Sequence, residues 1–310
     1  MKALGRFIGM LFAASLIIFF LLRAVPGDPA RIALGVTATD EDVAALAHQL
    51  GTDKPLPSQY VDWVGGMLTG DFGRSLTSKQ DITPFVIDRM QVSLILTVSA
   101  MVLSTAIAIP LGTYLVRRRG KWDTALVSSL TQVGIAVPSF LVGILAVAVF
   151  SVWLGWLPAN GWVPPNADAG GFVAHLILPV MALSLVQAAI LTRYVRSAVN
   201  EELDKDYVRT ARAVGLSTRQ ALYRHALRNA FLPVLTVTGL QFTTLIVGAV
   251  VIERVFALPG LGTMLLDAVA TRDLTTVQTL MMLLVVFTLT VTLAVDLLYR
   301  FIDPRLRRQA

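Results

Sequence analysis

Long apolar runs with almost no charge dominate this sequence. Five of them reach the length of a membrane crossing, since a helix needs about 20 mostly apolar residues to span roughly 30 Å of hydrocarbon. A sixth, near the start, is shorter, but Arg6 and Arg23 at its ends have side chains long enough to reach the two interfaces. The six runs are Phe7–Leu22, Leu94–Val116, Ala125–Leu154, Val173–Val195, Pro233–Val255 and Val277–Tyr299. The sequence therefore predicts an all-α integral membrane protein with six transmembrane helices.

Composition supports this class over others. The chain is 55% hydrophobic and only 15% charged, whereas soluble domains carry about 25% charged residues. Transmembrane barrel strands alternate apolar and polar residues over about ten positions, and these runs do not. The net charge of +6 is concentrated between the apolar runs, which indicates membrane topology and no nucleic-acid partner. The chain has no cysteine, which excludes disulfides and cysteine nucleophiles.

The runs divide the chain into four parts. Residues 1–23 form the first transmembrane helix, residues 24–92 an extracytoplasmic segment, residues 93–303 a core of five transmembrane helices, and residues 304–310 a tail. The first run also resembles a cleavable signal peptide, with Lys2 and Arg6 before its apolar part. However, the residues after it offer no small-x-small cleavage site, which favours a retained anchor.

Lysine and arginine in the short loops predict the orientation. The loops after the second and fourth runs and the end of the chain are basic, whereas residues 155–172 carry no lysine or arginine and residues 256–276 carry only Arg272. We expect a multi-pass protein of the bacterial plasma membrane with both termini in the cytoplasm.

The extracytoplasmic segment is expected to be folded. Thr39 begins a predicted helix that Gly51 ends, and apolar residues from Leu56 to Met67 recur at the spacing of a second, amphipathic helix on the membrane surface. A loop follows at Gly70–Ser75. The segment serves either as a small cap over the pore mouth or as a docking face for an external partner, and the sequence does not separate these two hypotheses.

The most informative segment is the cytoplasmic loop at residues 196–232, called the coupling loop below. Its pattern predicts two helices with a sharp break: Asp206 caps the first, Gly215 ends it, and Ser217 with Gln220 forms a capping box for the second. Pro233 is expected to begin the next crossing. Such a basic pair is too short to cross the bilayer and is either an ordinary interfacial loop or a lever that a soluble partner moves.

Several phrases resemble the dipeptide/oligopeptide/nickel permease family, the inner-membrane components of binding-protein-dependent ABC importers, and within it the B-type dipeptide permease. The loop carries Tyr207 to Leu216 in the wording Tyr-Val-Arg-Thr-Ala-Arg-Ala-Val-Gly-Leu. Other matching phrases are Pro26-Gly27-Asp28-Pro29, Gly70-Asp71-Phe72-Gly73, Pro259-Gly260-Leu261-Gly262 and Asp303-Pro304-Arg305. Arg209-Thr210-Ala211 departs from the Glu-Ala-Ala of the general importer pattern, so a charge contact of that glutamate is not carried over to Arg209.

The resemblance implies a type I ABC importer permease that takes up dipeptides or oligopeptides by alternating access. It implies a second homologous permease, two ATPases on the cytoplasmic side and an extracytoplasmic substrate-binding protein as partners. ATP and magnesium would be bound by the ATPases, with no cofactor, metal or catalytic residue on this chain. The residues implied in ATPase coupling are Tyr207, Arg209, Thr210, Ala211, Gly215, Leu216, Ser217, Arg219 and Arg224.

Other polar residues near the crossings are weaker candidates. Glu253, Arg254, Pro259 and Gly260 are interpreted as a local anchor for a turn or, alternatively, as an external gate. Gln187, Gln241 and Thr244 either line a polar path or simply pack helices together.

Two other functions compete with this interpretation. An ion-coupled secondary transporter requires inverted repeats or buried carboxylates at mid-membrane, for which Asp296 is the only hint. An importer of the same family for nickel or another small solute remains open. A membrane enzyme is disfavoured because no catalytic constellation lies near the runs, and Trp122 after Gly120-Lys121 breaks any P-loop pattern.

Overall fold

The computed structural model describes residues 2–24, 29–35 and 38–302. Within them the chain is helical throughout apart from its turns and loops, and the one β-type pairing there joins Arg74 to Asp81. The helices are α1 (Lys2–Arg23), α2 (Pro29–Leu34), α3 (Asp40–Leu50), α4 (Leu56–Thr69), α5 (Thr83–Arg117), α6 (Trp122–Ala136), α7 (Ser139–Ala146), α8 (Ala169–Leu203), α9 (Asp206–Ala213), α10 (Thr218–Ala221), α11 (Leu227–Val255), α12 (Leu261–Ala270) and α13 (Leu274–Ile302). Two π-helical segments, Val147–Trp153 and Leu222–Ala226, continue α7 and α10.

The membrane-crossing helices confirm the predicted fold class. Five described helices are long and apolar enough to cross a bilayer, namely Ala3–Arg23, Thr83–Arg117, Ala169–Leu203, Thr218–Val255 and Leu274–Leu298. Each contains or closely matches a predicted run. The extracytoplasmic placement of residues 24–92 remains a prediction, as do the four boundaries drawn from the sequence.

The third predicted crossing, Ala125–Leu154, is not one straight helix. The residues from Trp122 to Trp153 form two helical stretches that meet at an angle of 102°. At the break Val137 and Pro138 both adopt extended backbone conformations. Proline lacks an N–H and disfavours a helical conformation in the residue before it, so the pair ends α6 and starts α7 in a new direction. The structure thus has six crossings if this bent pair counts as one.

Pro233 behaves in the opposite way. It was predicted to begin the fifth crossing, but it lies inside α11, and the helix is continuous from Thr218 to Val255. Prolines inside membrane helices are tolerated where neighbouring elements hold the helix together. Ala230 and Val234 on either side of Pro233 are buried, so packing holds the chain helical past it. The second helix of the coupling loop and the fifth crossing are consequently one continuous helix, Thr218–Val255, called the rod below.

The chain divides into two compact units, Met1–Ser93 with Pro259–Thr290 and Leu94–Leu258 with Val291–Ala310. In the first unit α4 packs on α1 through aromatic rings: Trp63 stacks on Phe19, and Tyr60 meets the same ring edge-on. The Tyr60 hydroxyl lies 2.7 Å from Ser15 Oγ. The predicted amphipathic helix is therefore present, and its aromatic face is the one that contacts α1.

The caps predicted for α3 are confirmed. Thr39 is the N-cap, and its hydroxyl accepts a hydrogen bond from the N–H of Asp42. Gly51 is the C-cap in a left-handed conformation, with φ of 67°, a region that glycine enters without steric cost. The apolar face of α3, at Val43 and Leu46, packs with Ala30 of α2.

Asp273 organises the remaining loop of the first unit. It lies buried in the turn before α13 and accepts hydrogen bonds from Ser75 Oγ at 2.5 Å, from the N–H of Leu76 at 3.0 Å and from Thr276 Oγ1 at 2.8 Å. Thr279 Oγ1 also donates to the carbonyl of Phe72 at 3.1 Å. The loop after α4 is thus held to the start of α13 by buried polar contacts.

The second unit is built around α8, which packs against α6, α7 and α11. Small residues allow close approach in this unit: a Cβ at Gly112 would lie 2.6 Å from Val195 Cγ1, and one at Gly143 would lie 3.0 Å from the Phe256 ring. Helices in membranes associate through such close packing. Two phrases of the family resemblance, Pro26-Gly27-Asp28 and Asp303-Pro304-Arg305, and the predicted tail lie outside the described residues.

Candidate functional site

The break in the coupling loop is built by hydrogen bonds on both sides. At the end of α9 the N–H of Gly215 donates to the carbonyl of Arg212 at 3.1 Å, and the N–H of Leu216 donates to that of Ala211 at 3.2 Å. This is the Schellman arrangement, which places a left-handed residue after the helix. Gly215 has φ of 102°, so the predicted role of this glycine in ending α9 is confirmed.

The start of the second helix is fixed equally well. Ser217 Oγ accepts from the N–H of Gln220 at 3.3 Å, and the N–H of Ser217 donates to Gln220 Oε1 at 2.9 Å. This is the predicted capping box. The turn at Val214–Ser217 therefore joins two helix ends whose backbone groups are largely satisfied, and its shape does not depend on a partner.

The predicted cap of α9 is wrong by one residue. Lys205, not Asp206, occupies the N-cap position, and its side chain makes no capping hydrogen bond. Asp206 is instead the first helical residue, and its carboxylate pairs with Arg209 at 3.3 Å on an exposed face. A carboxylate in the first turn still interacts favourably with the helix dipole, which is why the local signal pointed to this residue.

The coupling loop has an apolar inner side and an exposed tip. Val208 of α9 is 1% exposed, and Ala221, Leu222 and Ala226 of the rod that follows are also buried. At the turn Val214 is 75% exposed. The buried residues attach the loop to its own unit, and the turn presents an apolar side chain outward.

Beside the tip lies a shallow groove of about 560 Å³, lined by Arg209, Arg212, Ala213, Leu216, Ser217 and Thr218. The groove contains three of the predicted coupling residues. Arg212 has no ion pair with any residue that the structure describes, and Arg209 has only the exposed contact with Asp206. The groove therefore offers positive charge and short polar side chains around an apolar tip.

A larger cleft, of about 1400 Å³, is lined by residues of α5, α8, α9, the π-helical segment Leu222–Ala226 and α11. Its wall contains the predicted residues Tyr207 and Arg224 together with Lys205, His225 and Arg228. Its deeper part is apolar, with Ile109, Val195 and Val234. The cleft therefore combines several cationic side chains with apolar ones.

Glu202, at the end of α8, is the one carboxylate in the wall of this cleft, and it is engaged. It is 8% exposed; Lys205 Nζ donates to its Oε1 at 2.5 Å and the Tyr207 hydroxyl donates to its Oε2 at 2.6 Å. We call Glu202, Lys205 and Tyr207 the brace. Sequence reasoning missed Glu202 and Lys205, although a glutamate three residues before a lysine at a helix end is a recognisable signal.

The two donors of the brace, Lys205 and Tyr207, stay protonated near neutral pH. The hydrogen bond to Glu202 raises the pKa of Lys205, and burial followed by the same hydrogen bond raises the pKa of Tyr207. The ordinary pKa is about 10 for tyrosine and about 10.4 for lysine. Below these pKa values, a group whose pKa is raised by folding contributes its full stabilisation to the folded state. That stabilisation is lost only as the pH rises through the raised pKa. Lys205 and Tyr207 therefore remain hydrogen-bond donors throughout the physiological pH range.

The gate candidates fall in two different units, which are described separately. In one, Glu253 is buried and its carbonyl accepts from the N–H of Leu258 at 2.8 Å, so it anchors the turn that follows α11. In the other, Gly260 is the N-cap of α12, directly after Pro259. Gating by any of these four residues remains a prediction.

The path candidates are not gathered around either cleft. Gln187 is buried in α8, and its Nε2 has no hydrogen-bond partner among the described residues. Gln241 is partly buried and Thr244 is exposed, both on α11. In the part of the chain that the structure describes, no group of three or more metal-ligating side chains comes together.

Comparison with known proteins agrees with this architecture. The model of the family described as "Binding-protein-dependent transport system inner membrane component" matches residues 108–308, and the model of its N-terminal part matches residues 2–99. The chain is 37% identical to the di/tripeptide transport system permease protein DppB of Pseudomonas aeruginosa, covering 99% of this chain and 98% of the relative. It is also 37% identical to the glutathione transport system permease protein GsiC of Escherichia coli, covering 99% and 97%.

Solved structures share the fold. A chain of the MetNI methionine ABC transporter in an inward-facing conformation superposes with a TM-score of 0.59 at 19% identity, covering 72% of this chain and 98% of that one. A chain of an amino acid ABC transporter gives a TM-score of 0.56 at 18% identity, covering 70% and 94%.

Proposed function

Because this chain belongs to the binding-protein-dependent transport system inner membrane component family, we propose that it forms one half of the pore of an ATP-driven importer of short peptides. The membrane-crossing helices and the full-length similarity to peptide permeases support this assignment. Both named relatives transport peptides, glutathione being itself a peptide. The proposal extends that substrate class to this chain.

The rigidity of the coupling loop is the observation that supports the proposed mechanism. Its turn is closed by a Schellman motif and a capping box, and the helix after the turn runs without interruption from Thr218 to Val255. A push on the exposed tip at Val214 therefore reaches the membrane through a rod. A flexible loop would absorb such a push, whereas a rod converts it into a tilt of the crossing helix.

The partner that pushes is an ATPase on the cytoplasmic side. Val214 fits a shallow apolar pocket on that partner, and Arg209 and Arg212 fit carboxylates at the rim of the pocket, because complementary charge steers and orients such contacts. The other predicted coupling residues act in two ways: Ala211, Gly215, Leu216 and Ser217 shape the turn, and Thr210, Arg219 and Arg224 lie on the helices beside it.

The full assembly contains this chain, a second homologous permease, two ATPases and an extracytoplasmic binding protein. ATP and magnesium act on the ATPases, and this chain catalyses no reaction and holds no cofactor. Closure of the ATPases draws the two coupling loops together and changes which side of the membrane the pore opens to. Both termini of this chain lie in the cytoplasm, on the side of the ATPases.

Peptide chemistry fits the cleft behind the loop. A short peptide carries a free carboxylate and apolar side chains. Arg224 and Arg228 offer the carboxylate a positive exit, and the apolar wall at Ile109 and Val195 tolerates varied side chains. Selection among peptides is expected to rest mainly with the binding protein.

Reconstitution tests the proposal. The chain is purified with the permease, ATPases and binding protein encoded beside it and placed in liposomes that contain ATP and magnesium. We expect uptake of radiolabelled di- and tripeptides that requires ATP, the binding protein and intact ATPases. Uptake driven by an ion gradient with no ATPase present would reject the importer in favour of a secondary transporter. ATP-dependent uptake of nickel complexes or another small solute without peptide uptake would reject the substrate class alone.

A further inference from the structure

The brace connects two helices, α8 and α9, at the start of the coupling-loop turn. Glu202 belongs to the last turn of α8, Lys205 is the N-cap of α9, and Tyr207 lies in the first turn of α9. Both carboxylate oxygens of Glu202 are occupied, at 2.5 Å by Lys205 and at 2.6 Å by Tyr207. Hydrogen bonds to a charged group are among the stronger ones in proteins, so α9 is tied back onto the helix it follows.

The tie replaces a missing cap. Lys205 makes no side-chain hydrogen bond to the first turn of α9, and only Asp204 and Lys205 separate that helix from α8. A connection this short without a cap leaves the direction of α9 open to hinge motion at these two residues. The contacts of Glu202 restrict that motion because they join side chains on both sides of the hinge.

Tyr207 also contacts the helix on the far side of the loop. Its ring meets the His225 ring edge-on, with centroids 6.5 Å apart and an interplanar angle of 69°, an arrangement favoured by the charge distribution of aromatic rings. His225 belongs to the π-helical segment Leu222–Ala226, which leads directly into α11. One side chain of α9 therefore touches α8 through its hydroxyl and the rod through its ring.

From these contacts we propose that Glu202 and Tyr207 are positioning residues for energy coupling: they fix α9 to the crossing helices on both sides, so that one displacement of α9 moves α8 and α11 together. This inference rests on the proposed function. A brace is useful only if an ATPase moves α9, and the role assigned here to Glu202 and Tyr207 lies in their contacts with other helices of this chain. Without the brace, α9 would follow the ATPase while pivoting at residues 204–205.

The decisive variant is Tyr207→Phe, which removes the hydroxyl and leaves the ring on His225. The matched control is Tyr223→Phe, since the Tyr223 hydroxyl makes no hydrogen bond to any residue that the structure describes. For the carboxylate the pair is Glu202→Gln, with Asp204→Asn as the control on an exposed side chain. Glu202→Gln keeps an acceptor for Tyr207 and is expected to retain more coupling than Glu202→Ala.

The first readout is the number of peptides imported per ATP hydrolysed by the reconstituted complex. We expect the complex with Tyr207→Phe to assemble with its ATPases and to hydrolyse ATP, while the number of peptides imported per ATP falls about tenfold. This factor is the effect of losing one hydrogen bond to a charged group on the equilibrium between braced and unbraced states. Tyr223→Phe is expected to leave the ratio unchanged. A lower yield of complex at an unchanged ratio would show that the brace serves stability only and would overturn the proposal.

The second readout measures the hinge directly and does not depend on transport. The chain has no cysteine, so Ser197→Cys on α8 and Thr210→Cys on α9 accept a pair of spin labels without further changes. In the full-length chain in nanodiscs, we expect the distance between the two spin labels to have a narrow distribution. This distribution should broaden with Tyr207→Phe and stay narrow with Tyr223→Phe. A distribution that stays narrow with Tyr207→Phe contradicts the brace. Failure of the unaltered chain to bind any ATPase would instead contradict the proposed function.

Discussion

The N–H of Leu76 donates a 3.0 Å hydrogen bond to Asp273 Oδ1, although 197 residues separate them in the sequence. The same carboxylate accepts from Ser75 and Thr276, so this buried side chain, together with the bond from Thr279 to the carbonyl of Phe72, holds the loop after α4 to the start of α13. Buried carboxylates are retained where their charge is satisfied by several donors. Asp273 is thus the residue on which the order of this loop depends most.

We predict that Asp273→Ala releases that loop. The substitution leaves the buried N–H of Leu76 without its acceptor, which costs about 1–3 kcal/mol. Limited trypsin digestion of the purified complex, with cleavage after the exposed Lys79, measures the release as a rate increased about tenfold or more. Asp88→Ala, on an exposed part of α5, serves as the control. Equal cleavage rates in the two variants would show that Asp273 does not hold the loop.

We predict that Gly215→Val separates ATP hydrolysis from uptake while the chain still inserts in the membrane. Gly215 has φ of 102°, and a Cβ there would meet nothing within 4 Å, so the substitution acts through backbone strain of about 1–2 kcal/mol and not through a clash. Strain at this residue distorts the turn that presents Val214. ATPase activity and peptide uptake of the reconstituted complex, measured side by side, check this.

Gly120 supplies a matched control for that experiment. It lies between α5 and α6 with φ of 86°, and a Cβ there would also meet nothing within 4 Å. Gly120→Val therefore imposes a comparable strain away from the coupling loop, and we expect it to leave the ratio of uptake to hydrolysis unchanged. If both variants lose uptake to the same degree, the effect of Gly215→Val reflects general destabilisation.

Signals carried by a few neighbouring residues were sufficient to predict much of this structure. Thr39 and Gly51 mark the ends of α3, and Ser217 with Gln220 marks the start of α10, because caps depend on side chains within three or four positions of the backbone they satisfy. The lengths of the apolar runs likewise predicted the crossings.

Tertiary contacts explain what the sequence did not reveal. Pro138 and Pro233 are the same residue type in similar apolar surroundings, yet one breaks a helix and the other does not. Both prolines are exposed, but no residue from 131 to 142 around Pro138 is buried, whereas buried Ala230 and Val234 hold the helix through Pro233. Asp273 was missed for a related reason, since its partner Leu76 lies far away in the sequence and no local pattern joins them.

Close packing of α5 on α8 gives a third prediction. A Cβ at Gly112 would lie 2.6 Å from Val195 Cγ1 and 3.0 Å from the carbonyl oxygen of Thr192, so Gly112→Ala forces the two helices apart at a cost of about 1–3 kcal/mol. We expect Val195→Ala to recover only a small part of the loss, because it removes Cγ1 but leaves the Cβ of residue 195 at 2.7 Å and the carbonyl oxygen at 3.0 Å. Thermal denaturation of the complex in detergent measures both variants.

We expect the effects of the two substitutions on the stability of the complex to be non-additive, as found for residues in direct contact. Gly9→Ala is the control, since a Cβ at this helical glycine would meet nothing within 4 Å. A double variant that is less stable than the sum of the two single variants would contradict the packing inferred here.

Orientation gives the last prediction, and the absence of cysteine from the chain makes it accessible. We expect Asn166→Cys, in the exposed loop before α8 that carries no lysine or arginine, to react from outside intact cells with a membrane-impermeant maleimide. Arg119→Cys, in the basic turn after α5, should react only after the membrane is opened. The physical reason is that lysine and arginine in short loops are retained on the cytoplasmic side during insertion. The reverse pattern of labelling would place the coupling loop outside the cell, where no ATP is supplied, and would remove the basis for a partner ATPase.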